Sequence, residues 1–140
     1  MDPTRCPFCR IASDRSGSGR AEIIHEDRDT IAFLPLRLQA YGHTIVAPRA
    51  HIETIWELDA ERLGLLLQAA RMLAERYRTT IGATGVNLLH ASGRDAQQSV
   101  PHVHLHLLPR FPQDGIDAWP RLAAVEVDRA DLGRRLRGGS

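Results

Sequence analysis

Most of the features that would place this chain quickly are missing. It has two cysteines in 140 residues, Cys6 and Cys9, so it is no scaffold stapled by disulfides. No apolar run approaches the roughly 20 residues that span a bilayer. Met1 to Cys6 lacks the apolar region of a secretory leader, and the expectation is a cytoplasmic protein with no membrane partner. The net charge is +1 with neutral histidines, which leaves no electrostatic footprint for nucleic acid. Arg134, Arg135 and Arg137 cluster near the C-terminus, where a solvated tail is the expectation. Ser13 to Arg20 carries Gly17 and Gly19 but has no preceding strand and no Gly-Lys-Ser/Thr ending, which speaks against a phosphate-cradling loop. No magnesium motif, internal repeat or long low-complexity segment is present.

What is there suits one ordinary globular domain over 1–140, with a core over about 6–112 and a C-terminal extension over 113–140. Three strands are expected at Glu22–Glu26, Thr30–Leu34 and Gly42–Ala47, the last ended by Pro48. Asp59 is placed to cap a long helix. Leu63, Leu66, Ala70, Leu73 and Tyr77 recur at three- and four-residue steps and give that helix one apolar face, ending near Thr80 before Gly82. Gly85–His90 reads as a fourth strand. A polar turn over Ala91 to Gln97, with Gly93, returns the chain as a fifth, antiparallel to the fourth. A short final helix is expected near Arg129 to Leu136. The sum is α+β, an antiparallel sheet of about five strands with one long helix on a face. Trp119, before Pro120, is expected to anchor the core rather than to reach a partner subunit.

The chemistry concentrates in Gln98 to Arg110, where His102, His104 and His106 alternate with Val103, Leu105 and Leu107. A strand sends alternate side chains to opposite faces. Three imidazoles would then share one surface about 6.6–7 Å apart. Such a surface can bind a metal or hold a charged group, and one ring can attack a phosphorus or carbonyl centre. A lone strand histidine is more often structural; three in strict alternation are costly to place without partners. Cys6-Pro7-Phe8-Cys9 has nothing before it that a thioredoxin-type pair requires. It is read as a half-site for zinc, the alternative being two inert thiols. His51 and His102 are the candidates for the remaining two ligands. A closed Cys2His2 set has no open position and would be structural.

The run His102 to Leu108 resembles the signature of histidine triad (HIT) nucleotide-binding proteins. Gly42-His43-Thr44 through Pro48 and His51 is similar to that family's Gly-His-Thr segment, and Gln98-Ser99-Val100 to its approach to the triad. The likeness runs from about Cys6 to Arg110. It implies a homodimer in which two sheets and two long helices meet across a twofold axis. It implies a nucleotide hydrolase or transferase acting at the α-phosphate of a nucleoside 5′-phosphate derivative, such as a phosphoramidate, with a purine nucleotide or nucleotide conjugate as partner. His104 would be the nucleophile, with His102, His106, Ser99 and His43 in the catalytic set. Phe8, Ile11, Leu34, Leu36 and Ile45 would line the base and ribose pocket, with Gly93, Gln98 and Ser99 around the phosphate. Cys6, Cys9, His51 and His102 would hold structural Zn2+. Three places depart from the family pattern: Leu34-Pro35-Leu36 stands in place of a ribose-binding Asp, the loop before Gln98 ends Asp95-Ala96-Gln97 where a Gly is frequent, and Ala91 stands where some members have a phosphate-contacting Asn. The alternatives are a dinucleoside polyphosphate hydrolase of the same family, a three-histidine catalytic zinc site, and a non-catalytic nucleotide-binding module.

Overall fold

A computed structural model describes residues 1–14, 16 and 21–138, so the Gly17/Gly19 loop and the last two residues lie outside the described part. Five strands form one antiparallel sheet: β1 (Ile23–Glu26), β2 (Thr30–Phe33), β3 (Thr44–Pro48), β4 (Gly85–Leu89) and β5 (Leu105–Arg110), in the order β1-β2-β3-β5-β4. β2 and β3 are buried along their whole length because both sheet faces are covered there. Ala32 and Val46 pack with Leu66, Ala69, Ala70, Leu73 and Tyr77 of the long helix α2 (Ala60–Thr80). Ile31, Phe33, Ile45 and Ala47 face the other way and pack with Cys6, Phe8 and Ala12.

That second layer comes from α1 (Pro7–Ser13), a helix too short to give a periodic signal in the sequence. Its start is legible afterwards: Pro7 sits at the first helical position, where its missing N–H costs nothing. The expected long helix is present as read, with the Asp59 carboxylate accepting from the Arg62 amide at 2.8 Å and Gly82 in a left-handed turn beyond its end. α3 (Arg129–Leu136) matches the expected final helix, and Arg134 and Arg135 lie exposed on it, paired with Asp131.

Two expectations need correction. The histidine strand was read from His102, but its ladder begins at Leu105. The His102 amide instead bonds back to the Val100 carbonyl at 2.8 Å, and the Val103 amide bonds Ile52 at 2.7 Å. Alternation nevertheless holds through the segment: Leu105 and Leu107 pack towards α2, while His104 and His106 face the side of α1. Trp119 is no core anchor; it is 84% exposed. Arg110 turns the chain away from the core, clamping Asp114 with two guanidinium nitrogens and Asn87 with the third. Trp119 is thereby set beside Leu89 at the β4 edge, beyond reach of the main cluster. Among the described residues no helix is long and apolar enough to cross a membrane.

Candidate functional site

β3 and β5 pair through Ile45 and His106, which puts the Gly-His-Thr segment and the triad on neighbouring strands. Gly42 makes this possible. Its φ is +88°, and a side chain there would meet Ile81 and Pro109 at 3.0 Å. The chain turns at this point and delivers His43 beneath the triad.

The ring protons can be assigned from the partners. The Gln39 amide donates to His43 Nδ1 at 3.1 Å, so that nitrogen is an acceptor and Nε2 carries the proton. His43 Nε2 then donates to His106 Nδ1 at 2.9 Å. His106 is left with its proton on Nε2, a donor for the cleft it lines. His104 Nδ1 donates to the His102 carbonyl at 2.6 Å, which leaves a bare lone pair on Nε2. Burial, opposed in part by that backbone bond, lowers the His104 pKa to about 4. At neutral pH the ring is therefore uncharged and nucleophilic.

His104 and His106 open into a cleft of about 890 Å³. Phe8, Ile11, Leu34, Leu36, Ile45 and Ser99 line it, together with Phe33, Pro35 and Val100. The Phe8 ring meets His104 edge-on, with centroids 5.0 Å apart. The structure thus brings together His104, His106, His43, Ser99 and the five apolar residues expected around a base and sugar. Pro35 sits in the wall with no side-chain donor or acceptor.

Three expected site residues fall elsewhere. Gln98 uses its amide on the protein itself: Oε1 accepts from the Gly93 amide at 2.8 Å, and Nε2 donates to the Glu53 and Val100 carbonyls. It shapes the loop rather than lining the cleft. Gly93, at φ +89°, lies 3.6 Å from the Trp56 ring when given a Cβ, again outside the cleft lining. His102 is fully buried behind His104 and contributes its carbonyl to that ring. Gln97 adopts φ 66° and ψ 33°, in the left-handed region that glycine favours.

His102 belongs to a second constellation. Its Nε2 donates to the Pro48 carbonyl at 2.8 Å, and its bare Nδ1 faces Cys6 Sγ at 3.4 Å and Cys9 Sγ at 3.5 Å. His51 brings Nδ1 to 3.2 Å from Cys9 Sγ. The 3.4 and 3.5 Å separations fall within, and the 3.2 Å separation just below, the edge of a tetrahedron about 3.3–3.8 Å long that metal–sulfur and metal–nitrogen bonds of about 2.0–2.3 Å would set. The four ligand atoms lie within 4.8 Å of one another, and the set can hold a metal ion. Burial and the adjacent Cys6 thiol push the Cys9 thiol up to about 12, so a cation taking it as thiolate displaces a proton. The three triad rings do not converge in this way: His102 turns Nδ1 to the two thiols and gives Nε2 to Pro48, and His106 keeps its proton on Nε2. That geometry disfavours a three-histidine catalytic metal.

One residue beside the triad was not singled out in the sequence. His90, just past β4, donates from Nδ1 to the His104 carbonyl at 2.8 Å and meets Ser92 Oγ at 2.7 Å through Nε2. The available signal was a histidine closing the strand antiparallel to the triad, with a serine two positions on.

The HIT domain profile matches residues 17–113. The chain belongs to the HIT family. It is 34% identical over 128 residues to the protein named hit of Bacillus subtilis, covering 91% of this chain and 86% of that one. It superposes on a Zn-bound histidine triad family protein of Mycobacterium smegmatis with a TM-score of 0.75 and 30% identity, over 97% of this chain and 93% of that one. A HIT family hydrolase of Legionella pneumophila is 34% identical, with a TM-score of 0.64 over 74% of this chain and 90% of its own. Family membership supports a nucleotide-binding or hydrolase role for this HIT protein.

The buried imidazoles set the sign of a pH effect. Burial lowers the pKa of both His43 and His106. In the unfolded chain such rings take up protons near pH 6.5, and in the folded protein only at lower pH. Below that point the unfolded state binds more protons, so stability is full above about pH 6.5 and is lost as the pH falls. The urea midpoint is expected to drop between about pH 7 and about pH 5.5, and His106→Gln to flatten the drop. An unchanged slope in the variant would show that His106 makes no such contribution.

Proposed function

We propose that this HIT protein is a hydrolase or transferase acting at the α-phosphate of a nucleoside 5′-phosphate derivative, with a phosphoramidate as the preferred class. The observation that carries the reading is the bare His104 Nε2 in an apolar cleft, its tautomer held by the His102 carbonyl. Nε2 attacks phosphorus, the bond to the leaving amine breaks, and a nucleotidyl-histidine forms. Water then attacks phosphorus, releasing the nucleoside monophosphate and restoring the ring. His106 Nε2–H is the donor towards the phosphoryl oxygens, held in place from behind by His43. The Ser99 hydroxyl, on the cleft wall, supplies the proton that the departing amine takes and regains one from the water that attacks in the second step. Phe8, Ile11, Leu34, Leu36 and Ile45 enclose a purine base and its sugar. Replacement of a ribose-gripping carboxylate by Pro35 leaves the sugar held by apolar contact.

Zinc is the metal we assign to Cys6, Cys9, His51 and His102, where two thiolates and two imidazoles complete a tetrahedron. With no open position it supplies rigidity, tying α1 to β3 and to the segment before β5. Reduced thiols serving a metal fit a cytoplasmic setting. We further assign a homodimer across β4, an edge strand whose outer side pairs with no strand among the described residues; Val86 and Leu88 are exposed on it, and Trp119 and Leu122 are exposed near Leu89.

His104→Ala is expected to lose at least about a thousandfold in turnover of adenosine 5′-phosphoramidate. Retention of a few per cent of wild-type rate would remove His104 as nucleophile. Faster turnover of diadenosine polyphosphates would instead assign the related activity, and binding without turnover by the wild type would leave a nucleotide-binding module. Elemental analysis is expected to find about one zinc per chain in the wild type and little in Cys9→Ser; full zinc in that variant would refute the assigned site. Sedimentation of Leu88→Arg is expected to show a monomer where the wild type is a dimer, and a dimeric variant would place the interface elsewhere.

A further inference from the structure

We infer that His90 is a positioning residue for His104, acting on the backbone of the nucleophile through a relay that begins at Ile55. This rests on the proposed role of His104 and adds a residue to it. The β4–β5 ladder stops at the Leu89–His106 pair, short of the His104 carbonyl. Beyond Leu89 the chain leaves the sheet for the Gly93 turn, so the sheet no longer supplies a backbone partner there. The His90 side chain takes that place, with Nδ1 2.8 Å from the carbonyl oxygen.

The proton positions follow from the partners. A carbonyl only accepts, so His90 Nδ1 carries the proton. A neutral ring then has a bare Nε2, and Ser92 Oγ, at 2.7 Å, donates to it. Ser92 Oγ in turn accepts from the Ile55 amide at 2.8 Å. The order is Ile55 N–H to Ser92, Ser92 O–H to His90, and His90 N–H to the His104 carbonyl. The far end is fixed by the short helical turn Ile55–Glu57, which lies outside the sheet.

The consequence lies in geometry. The nucleophile is held at two points: its ring by the His102 carbonyl and its peptide by His90. His104 precedes the ladder of β5, where regular sheet bonding would otherwise fix the direction of its side chain. An in-line attack is sensitive to displacements near 1 Å, which can cost on the order of a hundredfold. His90 is absent from the cleft lining, so its effect belongs in the chemical step and not in substrate binding.

The test compares His90→Asn with His90→Leu. Asn Nδ2 is attached to Cγ as His Nδ1 is, and it can donate to the same carbonyl; Leu fills similar space without a donor. With adenosine 5′-phosphoramidate, His90→Leu is expected to lose roughly ten- to a hundredfold in kcat with KM within about threefold of wild type. His90→Asn is expected to recover most of that loss, and Ser92→Ala to fall between. A role in stability alone would move Tm without separating Asn from Leu in kcat. Equal kcat for Asn and Leu, or a Leu variant within about threefold of wild type, overturns the inference. Ring 15N spectra read the effect on the nucleophile without turnover: wild-type His104 is expected as a single Nδ1–H tautomer, held by the His102 carbonyl, and in His90→Leu, with the His104 peptide released, both tautomers are expected. If the wild type fails to turn over the phosphoramidate, the proposed reaction falls while these spectra still decide the inference, and an unaltered His104 pattern in His90→Leu overturns it.

Discussion

An imidazole buried in this sheet must have at least one ring nitrogen hydrogen-bonded, and this one requirement organises the functional half of the molecule. Each histidine of the central group is tied by at least one ring nitrogen to the protein: His102 to Pro48, His104 to His102, His43 to Gln39, and His90 to His104. His106 is tied to His43. The bond fixes which nitrogen remains, and the remaining nitrogen determines what the ring can do. On His104 it is a lone pair in an apolar cleft. On His102 it is a lone pair facing two thiols. On His106 it is a proton facing the cleft. Identical side chains thus obtain different chemistry from their hydrogen-bond partners.

The sheet makes this arrangement possible because its two faces have different tasks. α2 seals one face with Leu66, Ala70, Leu73 and Tyr77. The other is covered only in part by α1, and the uncovered remainder is the cleft. Phe8 joins the two regions: it packs on Phe33 within the core and meets both His102 and His104 with ring centroids 5.7 and 5.0 Å away. The short N-terminal helix, with Cys6 just before its first residue, therefore supplies a wall of the cleft and half of the candidate metal set at once.

The sequence made much of this legible where a pattern repeats. Leu66, Ala70, Leu73 and Tyr77 mark α2 by their spacing, and the His-Val-His-Leu-His alternation marks the strand and its two faces. It was least legible where a single contact decides. α1 spans two turns and has no period to detect. Gln98 looked like a phosphate donor, yet its amide is committed to Gly93, Glu53 and Val100. His90 stands outside the triad pattern and reaches it only because the chain leaves the sheet at Leu89. Trp119 was misplaced because composition favours burial of a large ring, whereas the Arg110–Asp114 clamp carries the chain away from the core.

His102 shows how narrowly such a position can vary. Cysteine is an equally good ligand for a tetrahedral metal, and Cys3His sets are ordinary. Here the exchange would preserve coordination yet strip Pro48 of its donor, because a metal-bound sulfur has no N–H to offer. An unpartnered buried carbonyl costs about 1–3 kcal/mol. Metal chemistry alone would accept either residue at this site; the neighbouring peptide accepts only the imidazole.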